Sequence, residues 1–241
     1  MIKLLTYQVK PYLLLGEPAE SYLKPNAEWI RDMVNQLMVR HRQHLVKAGV
    51  DTSLFHNHDE ANSHTLITYP RIIYQNNNGF FMVTGINQGA AALSELFGLY
   101  PQPVAIGKNM MAGFVPYRSL ETEIVKTGEM IRYAIHNYLA LDAKTHKQYA
   151  DSTAAQKISL LEDTILKHLT GDLFHYLDVV VDEPAVEIVE MLNNEPRSMT
   201  YKNHHYLSFN LVFAANVLLP DFVALGNGKA FGYGMIERVN G

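Results

Sequence analysis

The first fifty residues show two patterns of apolar and polar positions. Apolar and polar residues alternate through residues 1–9, which predicts an opening β-strand. After Pro25, apolar residues recur every three or four positions, which predicts an amphipathic helix that runs to about Val46. Asn26 is a suitable N-cap for this helix, and Gly49 would end it. The recurring residues are Trp29, Ile30, Met33, Val34, Leu37 and Met38.

The next part of the chain predicts a hairpin, a second helix and a further strand. The hairpin arms are residues 66–75 and 79–85, joined at Asn76-Asn77-Asn78-Gly79, a strong turn sequence. A helix follows over about residues 88–97, and a strand lies near residues 104–106. The resulting order of strand, helix, strand, strand, helix, strand is that of a ferredoxin-like domain.

The second half of the chain repeats this order after a predicted linker. Prolines and glycines mark the linker, so the two domains are predicted at residues 1–106 and 114–241. The chain is therefore predicted to be an α+β protein of two tandem ferredoxin-like, or RRM-like, domains. The predicted elements of the second domain are a strand over 132–141, a helix over 144–169, strands over 179–192 and 197–213, and a glycine-rich turn with a last strand over 222–239.

The amino-acid composition excludes the kinds of site that need cysteine. The 241 residues include no cysteine, which excludes disulfides, thiolate zinc sites, iron–sulfur clusters and cysteine nucleophiles. A chain without disulfides is expected in the cytoplasm. The apolar runs are much shorter than the roughly 20 residues that cross a bilayer, and the N-terminus lacks a signal-peptide core, so no membrane association is expected.

Charge is unevenly distributed along the chain. The net charge is −4, which argues against a uniformly basic nucleic-acid binder. Residues 172–195 contain seven acidic residues and no lysine or arginine, and we expect this stretch to be a solvated strand face that repels phosphate. By contrast, one face of the first predicted helix is basic and carries Arg31, Arg40, Arg42 and Lys47.

A glycine-rich segment lies near the C-terminus. Residues 219–234 contain Gly226, Gly228, Gly232 and Gly234 together with Lys229. Such a loop can present backbone N–H groups to phosphate oxygens, or it can be an ordinary hairpin turn. It is neither a P-loop nor a dinucleotide-binding fingerprint, because the following residues and the glycine spacing differ from both.

Two clusters of histidines are further candidates. His56, His58 and His64 surround Asp59 and Glu60, and three interpretations remain open: an acid–base pair, a metal site, or a solvated loop. In an extended segment, His56 and His58 would face the same side. The second cluster consists of Lys202, His204, His205 and Tyr206, which would either line an RNA groove or occupy an exposed strand face.

Three segments of the chain resemble segments of one protein family and occur in the order that the family has. The glycine-rich segment 219–234, the run Tyr69-Pro70-Arg71-Ile72-Ile73-Tyr74-Gln75 with Gly85-Ile86-Asn87-Gln88-Gly89-Ala90, and Phe55-His56-Asn57-His58 resemble segments of the CRISPR repeat-processing endoribonucleases. These form the Cas-six family of the RAMP superfamily, and the histidine segment resembles that of its b-type branch. The tandem ferredoxin-like fold that this resemblance implies agrees with the predicted element order.

The resemblance implies a metal-independent endoribonuclease that needs no cofactor and cuts CRISPR precursor RNA once in each repeat. The 2′-hydroxyl would attack the adjacent phosphorus, leaving a 2′,3′-cyclic phosphate and a 5′-hydroxyl. It implies His58 as the principal acid or base, His56 as its partner, and Tyr69 in orientation or charge stabilisation. The implied RNA-binding residues are Gly226, Gly228, Lys229, Gly232, Gly234, Arg40, Arg42 and Lys47.

Two other functions remain open at this stage. One is a catalytically inactive subunit of the same fold that only binds repeat RNA. The other is a metal-dependent hydrolase built on His56, His58 and His64. Beyond repeat RNA, the expected partners are CRISPR effector-complex proteins and a second copy of the chain.

Overall fold

The computed structural model divides the chain into two compact units. We call them the N-terminal domain, residues 2–121, and the C-terminal domain, residues 122–241. Each is an α+β domain of the ferredoxin-like type, built on a five-stranded sheet. Within the described residues, no helix is both long and apolar enough to cross a membrane. The described residues are 1–13, 26–56, 58–59, 64–65, 69–77, 80–106, 110–141, 143–193, 195–201 and 204–239.

The N-terminal domain follows the predicted element order, with additions. The predicted cap of the first helix is confirmed, because the Asn26 side chain accepts a hydrogen bond from the Trp29 N–H at 2.8 Å. The helix is interrupted at His41, where the backbone leaves helical geometry (φ −114°, ψ 17°). The elements are β1 (Ile2–Leu13), α1 (Ala27–Arg40), α2 (Arg42–Lys47), a 3-10 turn (Thr52–Phe55), β2 (His58–Asp59), β3 (His64–Thr65), β4 (Ile72–Asn77), β5 (Phe80–Ile86), α3 (Gln88–Gly98), β6 (Val104–Ile106) and β7 (Met110–Thr122).

The N-terminal sheet has the strand order β4-β5-β1-β7-β6. The predicted hairpin is confirmed, with β4 antiparallel to β5, but β4 begins at Ile72 and continues through Asn77 of the predicted turn. β5 is in turn antiparallel to β1. Helix α1 packs on β4, and α3 packs on β5 and β1. The apolar face of α1 is buried as its periodicity predicts, and its core residues are Ile30, Met33, Val34, Leu37 and Met38.

The end of the N-terminal domain differs from the prediction. The strand next to β1 is β7, whereas residues 104–106 form β6 at the outer edge, paired with β7. Residues 110–113 therefore begin a strand of the first sheet and are not part of a linker, and the boundary falls after Glu121. Gly113 and Pro116 lie within β7 and weaken the strand pattern in the sequence.

The C-terminal domain is built on two long antiparallel strands. Its sheet order is β10-β11-β8-β12, the order of a ferredoxin-like sheet, and β9 also pairs with β11. The elements are β8 (Val125–Leu141), α4 (Ala143–Ala150), α5 (Ala154–Lys167), a π-helical segment (His168–Phe174), α6 (His175–Leu177), β9 (Val186–Met191), β10 (Arg197–Tyr201), β11 (His204–Leu218), a 3-10 turn (Lys229–Phe231) and β12 (Met235–Arg238).

The helix predicted over 144–169 is two α-helices followed by a π-helical turn. The second helix, α5, begins after its N-cap Thr153. The Thr153 side chain accepts a hydrogen bond from the Gln156 N–H, and the Gln156 side chain accepts one from the Thr153 N–H. The predicted apolar face is confirmed at Leu161, Ile165 and Leu169, which are fully buried. Helix α5 packs on β8 and β9 with this face.

The glycine-rich loop, residues 226–234, is a packed part of the C-terminal domain. Gly226, Gly228, Gly232 and Gly234 all have φ between 68° and 80°, the left-handed region that favours glycine. A Cβ atom at Gly226 would lie 2.7 Å from the Tyr138 ring, and one at Gly234 would lie 2.0 Å from the Leu225 carbonyl oxygen. Glycine is therefore required at both positions by conformation and by space.

We expect Gly234→Ala to lower the free energy of unfolding by about 3 kcal/mol, because it adds backbone strain and a clash with the Leu225 carbonyl. Gly171→Ala is the matched control, since a Cβ there meets no heavy atom within 4 Å, and its effect should stay within about 1 kcal/mol. Urea unfolding followed by circular dichroism measures both. Equal midpoints for the two variants would contradict the requirement at Gly234.

Candidate functional site

His56 follows a 3-10 turn that is tied to the core of the N-terminal domain. Asp51 caps the turn by accepting a hydrogen bond from the Ser53 N–H at 2.9 Å. Phe55 is 1% exposed, and its carbonyl accepts a hydrogen bond from the Tyr74 hydroxyl at 3.1 Å. The His56 N–H donates to the Ser53 carbonyl at 3.1 Å. These contacts fix the backbone that carries the half-buried His56 side chain.

His58 lies in the short ladder that follows. Its backbone pairs with Thr65 in the β2–β3 ladder, and Asp59 pairs with His64. The backbone of His56 is helical (φ −113°, ψ −19°), so a single extended strand does not run through both histidines. The side chains of residues 57–68 lie outside the described part of the structure, and the relative positions of the predicted cluster stay a prediction. Among the residues that are described, no three His, Asp or Glu side chains are grouped to hold a metal ion.

Tyr69 and Arg71 lie side by side just before β4. Tyr69 is 1% exposed, so its side chain is part of the domain interior. Arg71 is half-buried; this burial lowers the pKa of its guanidinium, and the nearby Tyr69 raises it. The Arg71 carbonyl accepts a hydrogen bond from the Ile86 N–H at 2.8 Å, which fixes this segment to β5. A partly buried cation therefore lies beside a predicted site residue.

The three basic residues predicted to contact RNA surround one hollow. The break at His41 turns the chain between α1 and α2, and Arg40, Arg42 and Lys47 line a surface hollow of about 610 Å³. Their side chains are exposed, and His41 and His44 line the same hollow. We call this surface the basic hollow. Its three permanent cations are exposed to solvent, which favours binding of an anion. His44 contacts the Glu95 carboxylate at 2.9 Å.

Within the glycine-rich loop, two of the predicted phosphate-binding N–H groups already have partners. The Gly232 N–H donates to the Lys229 carbonyl at 3.1 Å, and the Gly234 N–H donates to the His136 carbonyl at 3.0 Å. The Lys229 ammonium is largely buried and forms an ion pair with Asp172. Asp172 therefore does not lie on a solvated strand face, as its place in the acidic stretch predicts, but in the π-helical segment against the loop.

A buried tyrosine–histidine pair supports this loop from beneath. Tyr138 is fully buried, and burial raises its pKa well above the usual range. Its neutral hydroxyl forms a hydrogen bond with Nδ1 of His168 across 2.7 Å. Burial lowers the pKa of His168 to about 4, against the opposing charge of Asp172. At neutral pH His168 is therefore uncharged.

Sequence reasoning did not select Arg71, Tyr138 or His168. The sequence contains a signal for Arg71, because this charged residue lies inside the motif Tyr69-Pro70-Arg71 in an otherwise apolar segment. Tyr138 and His168 are 30 residues apart, on a strand and a helix, and nothing in their local sequence links them. Their contact exists only because α5 and its π-helical extension pack across β8.

Comparison with known families identifies the fold and the lineage. The family model for the Cas6b N-terminal domain matches residues 31–126, and the one for the Cas6b C-terminal domain matches residues 125–239. The two matches meet at the boundary between the structural domains and together span most of the chain. The chain belongs to the Cas6b family of CRISPR-associated proteins.

Solved structures share the fold at low sequence identity. A crystal structure of Cas6b is 17% identical with a TM-score of 0.69, over 98% of this chain and 100% of that one. A second crystal structure, of the CRISPR RNA processing endoribonuclease Cas6b, is 14% identical with a TM-score of 0.59, over 98% and 100%. Csf5, a type IV Cas6 crRNA endonuclease, has a TM-score of 0.53 at 14% identity, over 99% of both chains. An uncharacterized protein of Methanocaldococcus jannaschii is 27% identical over 111 residues, 46% of this chain and 74% of that protein.

The lowered pKa of His168 predicts a pH-dependent stability. The unfolded chain binds a proton at this position near pH 6.5, whereas the folded chain binds it near pH 4, so protonation favours unfolding between these values. The contribution is complete above about pH 6.5 and is lost as the pH falls toward 4, by about 2 kcal/mol between pH 7 and pH 5. We expect His168→Gln, whose amide can donate to or accept from Tyr138, to remove this part of the pH dependence.

Urea midpoints at pH 7 and pH 5 test this for the wild type and for His168→Gln. The control is His175→Gln, since His175 is exposed and its substitution should leave the pH dependence unchanged. The same loss of stability in wild type and His168→Gln would show that His168 is not the titrating group.

Proposed function

We propose that this protein is an endoribonuclease that cuts CRISPR precursor RNA within each repeat by a metal-independent reaction. The observation that carries the proposal is membership of the Cas6b family across both domains, including the segment with His56 and His58. Relatives of the same fold are described as CRISPR RNA processing endoribonucleases. The catalytically inactive RNA-binding subunit is the competing outcome of the tests below.

The chemistry requires one base and one acid near a single phosphate. The base takes the proton from the ribose 2′-hydroxyl, and the 2′-oxygen then attacks phosphorus. The bond from phosphorus to the 5′-oxygen breaks, and the acid donates a proton to that oxygen, leaving a 2′,3′-cyclic phosphate and a 5′-hydroxyl. Imidazole serves in both roles near neutral pH. We assign His58 as the principal acid or base and His56 as its partner.

The anchoring of His56 supports this assignment. A proton-transfer group must stay within hydrogen-bond reach of the reacting oxygen, which requires a fixed backbone. The cap at Asp51, the burial of Phe55 and the hydrogen bond from Tyr74 supply that rigidity immediately before the histidine. Because Tyr69 is buried, we propose that it acts indirectly, by positioning the segment that carries Arg71. The half-buried Arg71 adds a positive charge that favours a phosphate nearby.

RNA binding is proposed at two surfaces, one in each domain. In the N-terminal domain the basic hollow offers exposed guanidinium and ammonium groups to phosphates. In the C-terminal domain, Lys229 and the glycine-rich loop are proposed to contact the RNA backbone. A phosphate there would compete with the Asp172 carboxylate for Lys229, because the two are already paired.

Association with effector proteins or a second copy is tested by size-exclusion chromatography with and without repeat RNA.

Cleavage is expected to require the ribose 2′-hydroxyl and no metal ion. Repeat RNA from the source genome should be cleaved in excess EDTA, and the same RNA with a 2′-deoxy nucleotide at the cut should remain intact. His58→Ala and His56→Ala should lower the single-turnover rate by roughly 10²-fold or more, with RNA affinity retained. The control His175→Ala, at an exposed site in the C-terminal domain, should cleave as the wild type does.

The outcomes separate the candidate functions. Tight binding without product would identify the inactive subunit. Activity that EDTA abolishes and a divalent cation restores would support a metal-dependent hydrolase.

The cations of the basic hollow are expected to contact phosphates of the repeat RNA. Arg40→Gln/Arg42→Gln should weaken repeat-RNA binding and reduce the slope of log affinity against log salt by roughly 0.7 to 0.9 for each lost phosphate contact. Lys147→Gln, an exposed lysine on α4, is the control for a simple change in net charge. Filter binding at several salt concentrations measures the slopes. Unchanged slopes in the double variant would exclude the hollow from the RNA interface.

A further inference from the structure

Five aromatic rings form a cluster beside the glycine-rich loop. Tyr201 is the centre, with ring centroids 6.3 Å from Tyr206, 5.9 Å from Phe231 and 5.7 Å from Tyr233. His204 extends the group, 6.5 Å from Tyr206. All these pairs are tilted or edge-on, with interplanar angles between 55° and 72°. We call these five residues the aromatic cluster.

The aromatic cluster is not part of the hydrophobic core. Its tyrosines and Phe231 are only half-buried, and His204 is exposed. Two other tyrosines of the same domain, Tyr133 and Tyr138, are completely buried. A contiguous group of large rings that remains accessible to solvent marks an interaction site more often than isolated exposed residues do.

The fold presents these rings in fixed positions. Tyr201 pairs with His204 at the end of the β10–β11 hairpin, and Tyr206 faces Met199 two residues further along. Phe231 lies on the 3-10 turn between Gly228 and Gly232, both in left-handed conformation.

The loop glycine Gly228 also seats Tyr233. A Cβ at Gly228 would lie 2.7 Å from the Tyr233 ring, so that ring rests directly on the glycine. Two separate elements, a hairpin and a loop, therefore converge to build one surface.

We propose that the aromatic cluster binds unpaired nucleobases of an RNA by stacking. The inference rests on the proposed RNA-processing function and adds a surface that contacts bases rather than phosphates. Aromatic rings stack on the flat face of every base, and single-stranded RNA is commonly recognised in this way. Four of the five rings also carry a polar atom, which can form a hydrogen bond with the edge of a stacked base. The neighbouring exposed His205 adds a further polar group.

The cluster adjoins the loop that the proposed function places on the RNA backbone. Phe231 follows Lys229 by two residues, so a nucleotide whose phosphate reaches Lys229 would bring its base near the rings. The pairing of Lys229 with Asp172 limits the phosphate contribution here, and stacking supplies affinity that does not depend on charge.

The test compares Tyr201→Leu/Tyr206→Leu with the wild type. Leucine keeps apolar volume but removes the aromatic face. Two probes are used: repeat RNA with 2-aminopurine at unpaired positions, and an unstructured oligoadenylate. We expect affinity for both to fall roughly fivefold or more, with loss of the 2-aminopurine quenching and an unchanged salt slope. Tyr201→Phe/Tyr206→Phe should retain both signals.

Tyr117→Leu is the matched control, because Tyr117 is 55% exposed on β7 of the other domain. Circular dichroism melts establish that the double variant is folded. The inference would be overturned if the folded double variant bound and quenched the probes as well as the wild type does. It would also be overturned if the wild type bound neither probe. Binding to the probes without cleavage of repeat RNA would overturn the proposed catalysis alone. If the double variant lost binding to a protein partner but kept its RNA affinity, the aromatic cluster would be a protein-binding surface and the inference would be wrong.

Discussion

The antiparallel pairing of β8 with β11 is the constraint on which the C-terminal domain depends. It extends from Leu141 opposite Leu207 to Val125 opposite Leu218. The Tyr133 hydroxyl closes one end by donating to the Val217 carbonyl and accepting from the Leu219 N–H, each at 2.9 Å. The register shifts at three points along this pair. Because residues of both strands are buried in the core, the register is specified, and it places the elements attached to either strand.

The glycine-rich loop is positioned through β8. The Asn227 N–H donates to the Leu139 carbonyl, and the Gly234 N–H donates to the His136 carbonyl, both at 3.0 Å. Between these points the Tyr138 ring fills the space beneath Gly226. The loop is therefore held by strand hydrogen bonds and ring packing, and its positive-φ glycines serve that close approach. This explains why a loop with a sequence suited to phosphate binding also donates several of its N–H groups internally.

Charge in this protein acts locally. The chain as a whole is acidic, yet Arg40, Arg42 and Lys47 meet around one hollow because the helix breaks at His41. In the C-terminal domain the opposite happens, since Lys229 is neutralised by Asp172 in a partly buried pair. A half-buried pair is screened less than a surface pair, so a competing phosphate must replace a contact of substantial strength. The net charge alone describes neither surface.

The sequence by itself determined the tandem α+β order, the Asn26 cap and the apolar faces of α1 and α5, because these depend on periodicity and capping within a few residues. It did not determine the bounds of the C-terminal strands, since the strand predicted over 197–213 is two strands, β10 and β11. It also singled out the histidine and glycine-rich segments as candidates.

The position of β7 beside β1, the domain boundary after Glu121, the burial of Tyr69 and the contacts of Tyr138 with His168 and of Lys229 with Asp172 were decided only by the tertiary structure. Each joins residues far apart in the chain, and local sequence carries no information about which distant side chain will occupy a given space. The sequence selected His204 and Tyr206 as candidates, but only the tertiary structure brings Phe231 and Tyr233 of the loop against Tyr201 of the same hairpin.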